Sequence, residues 1–565
     1  MFLPMTVEEL RRLGWKKLDV ILVTGDAYID SYHSGVALIG KLLLSKGYKV
    51  GVISQPDVNS ERDISALGEP GLFWGVSAGC VDSIVANYTP LRKKRKSDDF
   101  TPGGKNTKRP DRATIVYTNL IRRYFKNTVP IILGGIEASL RRITHYDFLD
   151  DDLRKPILFD SKADILVYGM GEVAILEIAE KLKNGLDYRD TRGICFLDRE
   201  KEKYLKKGYI ELPSFEEAKN DKLKFIEMFK LFYENNDPLT ARGLIQKTMD
   251  RYLIQNPPAR LLSKEEMDFI YGLSFERDVH PAIKSKGEVK AIHTIQFSII
   301  THRGCYGECN FCSISVHQGR HIVERSEHSV IEEAKRLVKH KGFKGYITDV
   351  GGPTANMYGI ECEKKKKTGA CKDKRCLFPT ICKNLNLNHS RQLNLLKKLS
   401  EIEGIKGVFI GSGIRPDLVI EDKLYRERYL EEIVTNHTGG QLKIAPEHAD
   451  ERVLKLMGKM GVYYTEEFKR FFDKIIRKTK SRKFLTYYFI AAHPGCEKKD
   501  MLFLKNFIRE KLKLTPEQVQ IFTPTPSTFS SLMYYTELNP FTFEKIFVEK
   551  NLKDKEKQKE IIVRD

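Results

Sequence analysis

The chain has 565 residues, 41% hydrophobic and 30% charged, a balance that excludes disorder as its main state and allows several folded units without disulfide staples. No apolar run reaches about 18 residues, which excludes a membrane-spanning helix. Lys and Arg number 96 against 76 Asp and Glu, so a net charge of +20 favours anionic partners, RNA among them, although solvated surface accounts for the same excess.

The first residues, MFLPMTVEELRRLGWKK, lack the apolar stretch of a secretory signal. Thr6 and Glu9 read as a capping box opening a short helix. Residues 1–190 alternate apolar strands (18–23, 48–53, 72–77, 129–133, 164–167) with helices such as 35–46 and 173–182. That rhythm predicts a doubly wound α/β domain with a parallel sheet. It is interrupted at 92–112, RKKRKSDDFTPGGKNTKRPDR, with nine Lys/Arg against three Asp. The interruption reads as a mobile or ligand-ordered loop, with anion binding as one role, or as a plain solvated insertion.

Residues 191–290 read as a connector, with a helix opening at Ser214. From 291 to 545 the α/β rhythm returns. Strands are expected at 294–301, 345–350, 407–411, 441–445, 484–491 and 518–522, with Ser329 and Glu332 as the capping box of the first helix between them. Six strand–helix units make three-quarters of a (β/α) barrel, open on one side. Residues 546–565 read as a charged tail, helical or disordered.

Ten cysteines without an export signal point to metal or catalytic chemistry in a reducing, cytoplasmic setting. Seven of them fall between Cys305 and Cys382. Cys305, Cys309 and Cys312 form C-x3-C-x2-C directly after the first barrel strand, at the face where barrel active sites lie. Three thiols can hold a [4Fe–4S] cluster, which normally takes four, and so leave one iron open. Cys362, Cys371, Cys376 and Cys382 are spaced C-x8-C-x4-C-x5-C in a lysine-rich insertion. They read as a zinc or second-cluster staple, or as free thiols or a redox pair.

The motif at the end of a first barrel strand resembles that of radical S-adenosylmethionine (SAM) enzymes. The run HRGCYGECNFCSISVHQGR, with QNPPA, PEHADERVL and LVTGDAYIDSYHSG, is similar to the YgiQ-type subfamily of these proteins over nearly the whole chain. The resemblance implies that Cys305, Cys309 and Cys312 hold the cluster and that its open iron chelates the amino and carboxylate groups of SAM. It implies reductive cleavage to methionine and a 5′-deoxyadenosyl radical, with an electron donor as partner. Gly351 and Gly352 would approach SAM by backbone, with Pro353 standing where the family often has Glu. Arg415 is a candidate for the SAM carboxylate. Glu447 and His448 are candidates for the ribose or substrate, and His493 is a further strand-end candidate. No catalytic residue is assigned. Asp30, His33 and Gly35, with Gly134 and Gly135, are loosely similar to cobalamin-binding domains, but the spacing departs from that pattern, and a cofactor-free version of the fold is expected. Similarity to methylthiolating enzymes of RNA makes RNA the candidate substrate. The competing readings are an Fe–S electron carrier and an RNA-binding protein with a structural cluster.

Overall fold

The computed structural model describes residues 1–514, 516 and 518–563. The chain divides into two compact units, one of Met1–Leu262 with Phe269–Gln296, the other of Ser263–Asp268 with the chain from Phe297 onward. Among the described residues no helix is long and apolar enough to cross a membrane.

The first unit is built on one nine-stranded sheet. Strands β1 (Val20–Thr24), β2 (Val50–Ser54), β3 (Phe73–Ser77) and β4 (Ile131–Leu133) are followed by a separate hairpin, β5 (His145–Asp147) and β6 (Asp152–Arg154), and then by β7 (Ile165–Val167). β2, β1, β3, β4 and β7 lie side by side in parallel, with Val20 opposite Val50 and Phe73. Their continuous apolar runs suit a sheet covered on both faces, and the order is that of a doubly wound fold. The sheet then continues through β8 (Ile194–Asp198), β9 (Ile210–Leu212), β10 (Leu244–Thr248) and β11 (Arg251–Gln255), in the order β8-β11-β10-β9. Residues 191–290, expected as a connector, thus supply four strands, because β8 pairs antiparallel with both β7 and β11. The helix expected from Ser214 is capped there, with a capping box to Glu217, but it breaks at Asp221, whose side chain caps a second helix, Lys222–Glu234.

The basic stretch 92–112 is folded over the ends of β1 and β3. Arg109 is buried and makes ion pairs with Asp26 at 2.7 Å and Asp98 at 3.1 Å, while its guanidinium also donates to the Ala78 carbonyl at 2.7 Å. Arg112 is held by Asp147 and Asp150. At the same strand ends Asp30 is paired with Lys41 at 3.0 Å and accepts the Tyr28 hydroxyl at 2.8 Å. The His33 ring stacks on Tyr32 and meets the Ser31 hydroxyl at 3.0 Å. Gly135, at φ +83°, has room for no Cβ because the Ser77 hydroxyl would lie 2.7 Å from it. Several groups at these strand ends are thus paired with the chain's own side chains.

The second unit is the open barrel. Its strands are β12 (Ser298–Ile300), β13 (His302–Arg303), β14 (Val323–Glu324), β15 (Tyr346–Ile347), β16 (Asp349–Gly351), β17 (Gly407–Val408), β18 (Gln441–Glu447), β19 (Phe484–Ala491) and β20 (Gln518–Ile521). β12 pairs parallel with β16, β15 with β17, and β18 with β19 and then β20. A parallel bridge from Ile414 to Ile444 joins the two halves. β13 and β14 run antiparallel and frame the cysteine loop. The first barrel strand begins later than expected, since Ile292–Ile295 is helical and precedes the unit. The first barrel helix is Glu327–Val338, and its N-cap is Ser326, whose hydroxyl accepts the Ser329 amide; the expected Ser329 cap lies inside the helix. The tail is the helix Leu552–Val563, anchored by Ile562 in the core and by Gln558, which accepts the Ala492 amide at 3.1 Å.

Removing Arg109 would leave Asp26 and Asp98 as buried, unpaired carboxylates. Arg109→Ala should lower the stability of this unit by about 3–5 kcal/mol, measured by urea denaturation; an unchanged midpoint would show that the stretch is not part of the folded core.

Candidate functional site

A cavity of about 190 Å³ opens among the strand ends of the second unit. Cys305, Cys309 and Cys312 line it together with Pro353, Thr354, Arg415, Asp417, Glu447, His448 and Lys459. The cysteine loop leaves β13 through Gly304 at φ +83°, where a Cβ would lie 1.8 Å from the His321 carbonyl oxygen, so the residue must be glycine. The loop then winds tightly, the Cys312 amide donating to the Cys309 carbonyl at 3.0 Å, and runs into the short helix Ile314–His317. Gly307 lies between the sulfurs. A Cβ there would be 3.3 Å from Cys305 Sγ, 3.5 Å from Cys309 Sγ and 2.6 Å from an Arg415 guanidinium nitrogen.

All three thiols are half-buried by surface. Burial pushes the Cys312 thiol up to about 12, with Cys309 adding to the effect. Burial also raises Cys305, and the Arg415 cation opposes it. Thr354 lies 3.6 Å from Cys305 Sγ, at the edge of hydrogen bonding to sulfur.

Arg415 is buried, and its guanidinium is committed. Nε donates to Asp417 at 3.0 Å, one terminal nitrogen donates to the same carboxylate at 2.5 Å, and the other faces Cys309 Sγ at 3.5 Å. Burial works against this cation, but Asp417 and then Cys309 outweigh it and hold its pKa well above the ordinary value. Burial likewise opposes the Asp417 anion, and Arg415 more than compensates. Pro416 begins the helix Pro416–Glu421 directly after Arg415, which turns Asp417 back toward the guanidinium.

Glu447 ends β18 at a register shift, with φ +69°. A non-glycine residue held there is a strained backbone of the kind that collects at binding sites. Its carboxyl is raised by burial, opposed by Lys459 at 3.7 Å and by Arg415. Lys459 also donates to the Ala445 carbonyl at 2.6 Å. His448 lines the cavity, but its Nδ1 accepts the Asp450 amide at 3.0 Å and its Nε2 lies 3.6 Å from Cys496 Sγ. Burial drives it down to about 4, so it is a neutral, positioned ring at pH 7. His493 is fully buried between the Pro494 carbonyl and the Ser530 hydroxyl. Gly351 ends β16 with its carbonyl accepting the Thr301 amide at 2.7 Å, and Gly352 packs so closely on His302 that a Cβ would be 2.6 Å from the ring. Close approach by the chain itself accounts for Gly352. Their loop continues into Pro353 and Thr354, which do reach the cavity.

Asp417, Thr354 and Lys459 were not singled out from sequence. Asp417 had a local signal, an acid two residues after a strand-end Arg; Thr354 and Lys459 had none.

The donor set, three thiols lining one cavity, fits an iron–sulfur cluster. Among the described residues no group of three or more Cys, His, Asp and Glu converges as ligands of one metal ion. A cluster takes one thiolate per iron, so its ligands must surround a shared space, and these sulfurs line one cavity. The second cysteine set is built differently. Cys362 and Cys376 pack in a small core with Tyr306, Met357, Leu377 and Leu385, and Lys365 donates to Cys376 Sγ at 3.5 Å over the Tyr306 ring. Two of its four cysteines thus take part in apolar packing.

Comparison with known proteins matches residues 2–298 to the "Radical SAM N-terminal" family model and residues 299–508 to the "Radical SAM superfamily" model. A UPF0313 protein of Fusobacterium nucleatum is 56% identical over 99% of this chain and 98% of its own. One from Thermotoga petrophila is 50% identical over 100% and 98%. Among solved structures, the radical SAM methyltransferase TsrM of Kitasatospora setae, with cobalamin and a [4Fe–4S] cluster bound, aligns with a TM-score of 0.51 at 14% identity over 91% of this chain and 74% of its own. The cobalamin-dependent radical SAM enzyme OxsB with aqua-cobalamin aligns with a TM-score of 0.51 at 14% identity, over 94% and 57%. These two show the shared fold.

Gly307→Ala should displace the Arg415 guanidinium and cost about 1–3 kcal/mol as an overpacked site. Thermal unfolding measures it, and an unchanged midpoint would mean that the loop has slack next to Arg415.

Proposed function

The chain belongs to the radical SAM superfamily, among its UPF0313 proteins, and on that premise we propose that it cleaves SAM reductively at the cysteine-lined cavity and acts on an RNA substrate. Its cofactors are a [4Fe–4S] cluster and SAM. The observation that carries the proposal is the meeting of Cys305, Cys309 and Cys312 with Arg415 and Glu447 on one cavity wall.

Cys305, Cys309 and Cys312 are the proposed cluster ligands. When bound, the cluster would supply the electron for reductive cleavage of a C–S bond of SAM. The protein's part is to bind, orient and exclude water. Arg415, already shared between Asp417 and Cys309, supplies a fixed positive charge beside the thiolates. Glu447 and the Gly351–Gly352 loop frame the proposed SAM position, with Lys459 as a second cation. No proton-transfer residue is assigned, since His448 is neutral and bonded. A reductant is the required partner. Free thiols suit a reducing compartment, which supports a cytoplasmic setting. The RNA reading rests on the net charge of +20.

Protein reconstituted anaerobically with iron and sulfide should form 5′-deoxyadenosine from SAM and dithionite. Cys309→Ala should lose both the iron and the product. Glu447→Gln should keep its iron and bind SAM about 10-fold more weakly, the value of one charge-assisted hydrogen bond. A reducible cluster that yields no 5′-deoxyadenosine would favour the electron carrier instead.

A further inference from the structure

After the helix Phe529–Thr536 the chain makes a tight, hydrogen-bonded loop. The Ile546 amide donates to the Glu537 carbonyl at 3.0 Å, Asn539 to Glu544 at 2.8 Å and Phe543 to Asn539 at 2.7 Å, and Leu538 bridges Lys545. Phe543 is held at φ +61°, where bulky residues are rare. This ordered loop presents Phe541, Phe543 and Phe547 to solvent, exposed by 53%, 51% and 45%. Large rings held out by a fixed backbone mark a contact surface.

The neighbouring segment is basic. Residues 363–383 hold eight Lys/Arg against two acids, and Lys364, Lys366, Lys367, Lys372, Lys374 and Lys383 are exposed. Arg375 ties the two together, its guanidinium lying 5.3 Å from the Phe529 ring centre and 5.8 Å from that of Phe541. The same guanidinium donates to the Glu308 carbonyl at 2.9 Å, inside the cysteine loop. A Cβ on Gly458, next to the cavity-lining Lys459, would lie 2.8 Å from it. Rings, cations and cavity rim therefore meet at one residue. The aromatic loop itself has no excess of positive charge, since Glu537, Glu544 and Glu549 outnumber Lys545 and Lys550. Cations on one side and rings on the other match a single strand, whose phosphates take the lysines while its bases stack.

We propose that the loop around Phe541–Phe547 and the insertion 363–383 form one docking surface for single-stranded RNA, delivering a nucleotide to the cysteine-lined cavity. This rests on the RNA reading above.

The test is fluorescence anisotropy of a labelled single-stranded RNA with the full-length, reconstituted protein across a salt series. Phe541→Ala/Phe543→Ala should weaken binding about 10-fold or more at an unchanged salt slope. Lys364→Gln/Lys367→Gln/Lys374→Gln, a surface change that spares the core, should lower the slope by about 2. Absent RNA binding, affinities of both variants equal to wild type, or a preference for DNA of the same sequence or for anionic phosphatidylserine vesicles would each overturn the proposal. 5′-Deoxyadenosine formation without RNA, followed in parallel, separates the two readings: its presence with no RNA binding overturns the surface alone, and its absence with RNA binding as described upholds the surface and overturns SAM cleavage.

Discussion

A guanidinium buried against a cysteine loop has to be neutralised from within the protein, and this requirement organises the barrel top. Arg415 has Asp417 on one side and Cys309 on the other. An unpaired cation there would cost several kcal/mol. The pairing fixes the start of the helix after β17, and it fixes the loop, because Gly307 alone leaves room for the arginine. The thiols and the strand-end acids are thereby held in register with each other. A barrel with an open side lacks strands that would otherwise brace its rim, so buried ion pairs take over that work.

The same logic governs the first unit. Strand ends that would present backbone to a ligand are occupied by Arg109 with Asp26 and Asp98 and by Lys41 with Asp30. Each is a buried charge with a dedicated partner, and breaking one is costly in a way that exposed pairs are not. In the second unit Glu447 keeps a strained backbone and a raised carboxyl at the cavity wall. Strain and desolvation of this kind are maintained only where the surroundings enforce them.

Much of this could be read in the chain. The C-x3-C-x2-C spacing, the strand-end positions of Arg415 and Glu447, and the two α/β rhythms are local patterns, and their residues do line one cavity or build the two units. What was hidden depends on pairings distant in sequence. Residues 191–290 read as a connector because short strands separated by helices carry no sign that β8 will pair with β7 and β11. The stretch 92–112 read as mobile or solvated because composition counts its charges without showing that Arg109 and Arg112 find carboxylates elsewhere. Gly351 and Gly352 suggested a ligand, and the close packing of Gly352 on His302 supplies another cause. Lys459 could be identified only after β18 and its following helix were in place.

The central claim is that three cysteines hold a cluster with one iron left open for SAM. Mössbauer spectroscopy of protein reconstituted with ⁵⁷Fe, recorded before and after SAM is added, tests it directly. The account predicts that SAM shifts the signal of a single iron toward higher coordination and leaves the others unchanged. A cluster whose irons are all unaffected by saturating SAM would contradict it.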